Sequence, residues 1–171
     1  MSEKPEVGIL MGSDSDWPKI KGAAAALDEF GVVYEVHVAS AHRTPAKVME
    51  YASTARERGL GVIITAAGGA AHLAGVTASH TTLPVIGIPV ETGMMGGLDS
   101  LLSTVQMPGD IPVATVGTGS GGARNAGILA VQILSAGNPA LVKKLETFRG
   151  KLAEKIAKKD AKLNEALRTA E

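Results

Sequence analysis

Five short apolar runs, each followed by a pattern typical of a helix, most constrain how this chain can fold. We predict strands over residues 7–11, 32–39, 62–66, 85–90 and 112–116. Continuous runs rich in valine and isoleucine suit a sheet that is buried on both faces, and parallel strands need a crossover helix to bring the chain back. The sequence therefore predicts an α/β fold of three layers, with a parallel five-stranded sheet between helices.

The segments between the runs carry helix boundaries. Asp16 is predicted to cap the first helix and Gly31 to end it. Thr44 and Pro45 are predicted to begin the second helix, because the hydroxyl can satisfy free amides and proline lacks an N–H at the first turn. We expect this helix to reach about Gly59. The other crossover helices are expected over residues 72–81, 98–107 and 121–136.

A long helix is predicted after the sheet, over about residues 138–168, with Pro139 in its first turn. With 171 residues the chain fits one domain, whose core spans about residues 5–137. Large apolar side chains recur along the helix at spacings of three, four or seven. Such a stripe needs a second surface, which we expect to belong partly to another subunit; packing back on the same domain is the alternative.

Composition narrows the class of function. The 17 basic residues balance the 17 acidic ones, and aromatic residues are only 3%, so neither charge nor base stacking favours nucleic acid or an anionic membrane. There is no cysteine for disulfides or thiol chemistry. No apolar run approaches the roughly 20 residues of a membrane helix, and the start does not resemble a signal peptide. We expect a cytoplasmic protein with a small-molecule ligand.

The first candidate binding segment, Gly12 to Asp16, follows the first strand. Ligands of parallel sheets bind beyond the carboxyl ends of the strands, where loops and helix starts converge. The hydroxyls of Ser13 and Ser15 and nearby backbone amides can hold phosphate oxygens, while Asp16 can accept ribose hydroxyls. A capped turn without a ligand is the alternative.

The second candidate segment, Ser40 to Pro45, places a hydroxyl, an imidazole and a guanidinium at the end of the second strand. Arg43 offers a planar fork for phosphate. His42 can donate and accept protons near neutral pH, since an unperturbed imidazole has a pKa of about 6.5. We predict that His42 is the acid/base, the alternative being a structural histidine.

The third candidate segment spans residues 67–73. Gly68 and Gly69 leave the backbone bare, so a ligand can approach closely, and His72 can orient a carboxylate. The alternative is a glycine turn with a capping histidine. His37 and His80 have no evident partner and receive no role. The histidines are not paired with carboxylates at spacings suited to metal coordination, so we expect metal-free chemistry.

Glycines 117, 119 and 122 match the spacing of a dinucleotide-binding motif, but they follow the fifth strand, and no acidic residue closes a following strand as that motif requires. We therefore do not predict a nucleotide cofactor.

Five segments occur together in one order along the chain: GSDSDW at 12–17, SAHRTP at 40–45, GGAAHLAG at 68–75, DSLLSTVQMP at 99–108 and NAGILA at 125–130. Together they resemble the N5-carboxyaminoimidazole ribonucleotide mutases of the class I PurE type. The resemblance covers about residues 7–150. It implies a flavodoxin-like fold, a homo-octamer, no metal or organic cofactor, and interconversion of N5-carboxyaminoimidazole ribonucleotide (N5-CAIR) and 4-carboxyaminoimidazole ribonucleotide (CAIR) in purine biosynthesis.

The resemblance also implies roles for individual residues. His42 is similar to the catalytic histidine of that family, and carbon dioxide is implied as a transient intermediate. The residues that resemble the substrate-binding positions are Ser13, Ser15, Asp16, Ser40, Ala41, Arg43, Gly68, Gly69, His72 and Leu73.

The chain departs from the commonest family pattern at four positions near the third segment: Thr65, Ala66, Ala74 and Val76. We expect these changes to affect the rigidity of the loop beside His72.

Two other functions are compatible with such a fold. A related carboxylase that takes free carbon dioxide usually carries SAHKT in the second segment and a sequence resembling GRSN in the third, so Arg43 and the GGAAH run favour the mutase. A flavodoxin-like binding module without catalytic activity would account for the sheet and the phosphate loop. It would not account for the Ser40 to Arg43 cluster.

Overall fold

In the computed structural model, which describes residues 4–169, strands and helices alternate along the chain as predicted. The strands are β1 (Val7–Met11), β2 (Tyr34–Val38), β3 (Val62–Gly68), β4 (Val85–Val90) and β5 (Ala114–Thr115). The α-helices are α1 (Trp17–Phe30), α2 (Pro45–Thr54), α3 (Leu73–Ala78), α4 (Leu98–Val105), α5 (Gly119–Ser135) and α6 (Pro139–Arg168).

The five strands form one parallel sheet in the order β2-β1-β3-β4-β5. This is the flavodoxin-like order, in which the connections change direction between β1 and β3. Helices cover both faces: α1 lies against α5, while α2 packs on α3, and both α3 and α4 contact Gly87 of β4. The predicted three-layer α/β fold is confirmed.

The three central strands carry the core. Every residue of β1 and β4 is buried, as are the first five residues of β3, because each of these strands has a neighbour on both sides and helices on both faces. The edge strands differ from the prediction. β2 is shorter than residues 32–39 and is half-buried to exposed, and β5 has only two residues, where residues 112–116 were predicted. An edge strand pairs on one side only, which permits a shorter and wetter strand.

The predicted cap of α1 is wrong. Asp16 makes no hydrogen bond with its side chain to the start of α1. Instead, the hydroxyl of Ser13 accepts a hydrogen bond from the Ser15 amide and caps a short 3-10 turn at Asp14–Asp16. The end of α1 is as predicted: Gly31 has a φ of 66°, a conformation that glycine adopts without strain, and its N–H donates to Asp28.

The second helix begins at Pro45 as predicted, but Thr44 does not cap it. The Thr44 hydroxyl accepts a hydrogen bond from the Ser40 amide at 2.9 Å and so closes the preceding loop. The helix ends at Thr54 rather than near Gly59, since the chain turns there and the Leu60 N–H donates to Ala55. Helices α3, α4 and α5 differ from their predicted bounds by three residues or fewer at each end.

Helices α1 and α5 approach closely at Gly127. A Cβ atom at this position would lie 2.8 Å from the Cβ of Ala26 and would overlap the carbonyl of Ala23. Beside this contact, an ion pair of 2.6 Å joins Arg124 Nη2 to Glu29 Oε2. The many alanines and glycines of the sequence are used here to bring two helix backbones together.

The edge strand β2 is fastened to α2 and the turn after it by a polar cluster. The Tyr51 hydroxyl donates to Glu35 Oε1 at 2.6 Å, and the Arg58 guanidinium pairs with the same carboxylate while lying 4.4 Å from the centre of the Tyr51 ring. Burial alone would raise the pKa of Glu35, but the hydrogen bonds from Tyr51 and Arg58 hold it below its ordinary value. His37, for which the sequence indicated no partner, packs edge-on against Tyr51.

The chain divides into two compact units, of which the first ends at Leu134 and the second begins at Ser135. The second unit consists mainly of α6, which has Pro139 in its first turn as predicted; the side chain of Asn138 also caps this turn. Along α6, Ile156, Leu163 and Leu167 are about 60% exposed. The organisation of residues 1–171 as one domain stays a prediction.

Within residues 4–169, none of the helices is both long enough and apolar enough to cross a membrane.

Candidate active site

The loops that follow β1, β2 and β3 meet at one end of the sheet. They can meet because β1 lies between β2 and β3, so the carboxyl ends of these three strands are neighbours. They enclose a cavity of about 370 Å³. Its lining residues are Gly12, Ser13, Asp16, Ser40, Ala41, His42, Arg43, Ala67, Gly68, Ala70 and Leu73.

The structure therefore brings the three predicted segments to one place. Most of the predicted site residues line the cavity directly. The exceptions are Ser15, Gly69 and His72, which lie next to lining residues: Ser15 bonds to Ser13, and His72 bonds to His42. The sequence did not single out Ala67 and Ala70 individually, because a residue that contributes only backbone and a methyl group carries no chemical signal.

In the first loop, the two predicted serine hydroxyls are paired. Ser15 Oγ donates to Ser13 Oγ at 2.8 Å, and the Ser15 amide donates to Asp14 Oδ1 at 3.0 Å. The paired hydroxyls lie just before the N-terminus of α1. They can turn to a phosphate oxygen without a change in the backbone, since a hydroxyl rotates about its own bond.

Asp16 lies at the same end of the cavity and is partly buried. Burial raises its pKa above the ordinary value, and the opposing effects of a backbone hydrogen bond at Ser13 and of the nearby charges on Lys19 and Arg43 only partly offset this. The carboxylate of Asp16 therefore becomes protonated at a higher pH than an exposed aspartate.

Arg43 joins the first loop to the second. Its Nη2 donates to the carbonyl of Gly12 at 2.9 Å, and its backbone amide donates to Ser40 Oγ at 3.2 Å. The sequence predicts a guanidinium that binds phosphate. In the structure, Nη2 holds the two loops together and Nε lies 3.5 Å from Ser40 Oγ, while the side chain lines the cavity.

The two candidate histidines form a pair that the sequence did not predict. His42 Nε2 lies 2.8 Å from His72 Nδ1, and the rings meet edge to face with centres 4.9 Å apart. Between two neutral imidazoles, one nitrogen must carry the proton and the other must accept it, so the hydrogen bond selects the tautomers of both rings. The pair can pass a proton between a ligand in the cavity and the second ring.

In the third loop, the backbone comes close to the end of the neighbouring strand. Gly69 has a φ of 68°, which favours glycine, and a Cβ on Gly68 would lie 3.2 Å from Thr92 Cγ2 and 3.4 Å from the carbonyl oxygen of Val90. These two positions keep the loop close to the end of β4. Among residues 4–169 there is no group of three or more histidine, aspartate or glutamate side chains placed to hold a metal ion.

The four departures from the family pattern lie behind this loop. Thr65 and Ala66 are buried in β3, where the Thr65 hydroxyl donates to Ile86 and the Ala66 carbonyl accepts from the Gly12 amide. Ala74 and Val76 both belong to α3, where Ala74 is buried against Gly87 and Val76 is partly buried against the core. All four contact the framework rather than the cavity, and their effect on the loop near His72 stays a prediction.

Comparison with known proteins gives a consistent picture. The sequence model of a family described as AIR carboxylase matches residues 6–155. A curated protein of Mycobacterium tuberculosis, named N5-carboxyaminoimidazole ribonucleotide mutase, is 58% identical over 161 residues, which cover 94% of this chain and 91% of that protein. A protein of the same name from Bacillus subtilis is 60% identical over 146 residues, covering 85% of this chain and 90% of the relative.

A solved structure is also similar to this one. The crystal structure of Treponema denticola PurE superposes with a TM-score of 0.83 at 29% sequence identity, covering 93% of this chain and 98% of the other. The similarity therefore extends over most of the length of both chains.

Proposed function

The chain belongs to the AIR carboxylase family, and on this premise we propose that it is an N5-carboxyaminoimidazole ribonucleotide mutase, an isomerase of purine biosynthesis that interconverts N5-CAIR and CAIR. The observation that carries the proposal is the His42 imidazole, hydrogen-bonded to His72, beside a cavity with Arg43 and two serine hydroxyls. Such a site combines a proton donor and acceptor with groups that bind an anionic nucleotide.

The proposed reaction moves one carboxyl group and one proton. The N–C bond of the carbamate breaks, carbon dioxide leaves, and His42 donates a proton to the exocyclic nitrogen. C4 of the aminoimidazole then attacks carbon dioxide to form the new C–C bond, and His42 recovers a proton from C4. The substrate supplies both fragments and the enzyme ends in its starting protonation state, so the step calls for no cofactor.

Retention of both fragments is the second task of the site. Holding two reactants in the right geometry contributes up to about 7–11 kcal/mol to lowering a barrier. In our proposal Ser13, Ser15 and Arg43 bind the phosphate and Asp16 the ribose. The remaining proposed pocket residues, which form the walls around the base and carbon dioxide, are Ser40, Ala41, Gly68, Gly69, His72 and Leu73.

The function is tested by an ultraviolet assay that follows the formation of CAIR when the purified protein is mixed with N5-CAIR, with and without added bicarbonate. The mutase forms CAIR from N5-CAIR at a rate that bicarbonate does not change. Turnover of aminoimidazole ribonucleotide alone, dependent on bicarbonate, would instead establish the carboxylase, which is the activity named in the family description. If neither substrate is turned over, the result would favour a flavodoxin-like binding module without catalytic activity.

The elevated pKa of Asp16 leads to a prediction for substrate binding. We expect KM to rise as the pH falls through this pKa, because a protonated carboxyl accepts hydrogen bonds from ribose hydroxyls poorly. In Asp16→Asn, KM should already be high near pH 7 and should change less with pH. The substrate phosphate also titrates, at about pH 6, but it contributes equally to both proteins, so the difference between their KM profiles isolates Asp16. Parallel profiles would contradict the ribose contact.

We also propose a homo-octamer in the cytoplasm. The resemblance to the PurE enzymes motivates the octamer, and the exposed apolar side chains of α6 offer surface for contacts between subunits. We expect light scattering to give a mass eight times that of the chain. A monomeric mass would contradict assembly, and the stripe on α6 would then need another occupant.

A further inference from the structure

Helix α4 presents two serine hydroxyls to the third loop of the cavity. Ser100 and Ser103 lie three residues apart, which places them on one face of the helix. They belong to the DSLLSTVQMP segment, which contributes no residue to the lining of the cavity. The hydrogen bonds of these two side chains give the segment a role.

Ser100 is completely buried and has a partner for both its donor and its acceptor capacity. Its hydroxyl accepts a hydrogen bond from the Gly69 amide at 2.9 Å and donates to the carbonyl of Val90 at 2.7 Å. One side chain therefore ties the start of the loop to the end of β4. Without it, the partly buried N–H of Gly69 and the buried carbonyl of Val90 would lose this partner, which is costly for the fold.

Ser103 holds the next part of the same loop. Its hydroxyl accepts a hydrogen bond from the Ala71 amide at 3.1 Å and lies within donating distance of the carbonyl of Gly69, at 2.9 Å, and of Asp99, at 2.6 Å. On the loop itself, the two serines thus contact three backbone groups: the N–H and the carbonyl of Gly69, and the N–H of Ala71.

Besides these hydrogen bonds, the buried side chain of Ala71 anchors the loop. Between β3 and α3 its backbone follows neither a strand nor a helix. Gly69 adopts a left-handed conformation, which favours glycine, and it has no side chain that could pack against a neighbour. His72 comes directly after Ala71 and carries the ring that bonds to His42. A small displacement of the Ala71 backbone would therefore move the His72 ring away from its partner.

We propose that Ser100 and Ser103 are positioning residues, which fix the Gly69 to Ala71 backbone and thereby hold His72 against His42. Their effect on turnover rests on the proposed mutase activity. Their effect on the loop and on the histidine pair does not, and so it can be measured without substrate. The competing explanation is that the two serines only stabilise the packing of α4 on the sheet.

The test compares Ser103→Ala with Ser103→Thr, which keeps the hydroxyl, and with Ser53→Ala as a matched control. Ser53 is an exposed helical serine whose hydroxyl bonds to the Glu50 carbonyl of its own helix. In Ser103→Ala we expect amide hydrogen exchange at Ala71 to accelerate about tenfold, the imidazole nitrogen signals of His42 and His72 to shift in NMR spectra, and kcat/KM to fall about tenfold. Ser103→Thr should restore most of each property, and Ser53→Ala should change none.

Ser100→Ala is the second variant, with faster exchange expected at Gly69 rather than at Ala71. If it does not fold, the Ser103 series decides alone. The proposal is overturned if Ser103→Ala lowers the urea midpoint while Ala71 exchange, the histidine signals and kcat/KM all match the Ser53→Ala control. Should the unmodified protein fail to turn over N5-CAIR, the proposed function fails, and the exchange and NMR measurements still decide whether the serines position the loop.

Discussion

Replacement of His42 by asparagine is expected to lower kcat by about 10²–10⁴-fold while the fold and nucleotide binding are retained. Asparagine is too short to reach the position of Nε2, which lies 2.8 Å from His72 Nδ1 in the native protein, but it has a similar size and keeps a polar group in the site. A carboxamide is neither an acid nor a base near neutral pH, however. In the proposed reaction the same group must donate a proton to nitrogen and recover one from C4, so both steps lose their acid/base.

The matched control for this variant is His80→Asn. His80 is exposed and follows the end of α3, its Nδ1 lies 2.8 Å from the carbonyl of Val76 in that helix, and it is not among the residues that line the cavity. Its replacement should leave kcat and KM unchanged. Calorimetry with CAIR measures binding in both variants, and urea unfolding measures their stability. Near-normal turnover by His42→Asn, with intact binding, would remove His42 from the role of acid/base.

The second large effect is expected in the framework, at the contact between α1 and α5. We predict that Gly127→Ala destabilises the protein by about 2 kcal/mol or more, the usual cost of forcing an extra methyl group into a packed interior. The new Cβ would overlap the backbone carbonyl of Ala23 and lie 2.8 Å from the Cβ of Ala26. Neither neighbour is the flexible end of a side chain, so relief requires the two helices to move apart.

Gly121→Ala, in the same helix, is the control for this prediction. A Cβ at Gly121 would have no atom within 4 Å outside its own helix and neighbours. Because alanine is the better helix former by about 1 kcal/mol, this variant should be neutral or slightly more stable. Urea unfolding of both variants gives the comparison. Equal stability of Gly127→Ala and Gly121→Ala would contradict the close approach of the two helices.

How far the fold could be predicted depends on the element. The runs at β1 and β4 have the predicted bounds, because a strand buried on both faces must be continuously apolar and therefore leaves a clear signal. The edges were predicted less well. Nothing local distinguishes residues 32–39 or 112–116 from a central strand, since the burial of a strand is decided by what lies beside it in the sheet.

The caps show the same limit at the scale of single residues. Ser13 and Asp16 are both good N-cap residues, and Thr44 is a third, so the sequence alone could not assign their hydrogen bonds. In the structure Thr44 bonds to the backbone of Ser40, and Asp16 is left partly buried beside the cavity with a raised pKa. A residue that could cap a helix was instead placed where a ligand would bind.

The composition of the candidate site was more accessible to prediction than its geometry. Three segments were chosen because each follows an apolar run and carries groups that bind phosphate or transfer protons. This choice correctly predicted that Asp16, His42 and Arg43 line one cavity, because parallel strands bring their carboxyl ends to one edge of the sheet. The serines of α4 were missed as contributors, since a serine in a helix gives no indication of a partner more than 30 residues away.

The sequence by itself determined the layered α/β class, the loops proposed to form the site and the small residues that let backbones meet, because each of these follows from local periodicity and residue type. Only the tertiary structure decided that His42 bonds to His72, that Arg43 holds the carbonyl of Gly12, and that α4 supports the third loop. Each of these contacts joins residues 30 or 31 positions apart. Such distances along the chain are closed only when β1, β2, β3 and β4 take their places in the sheet.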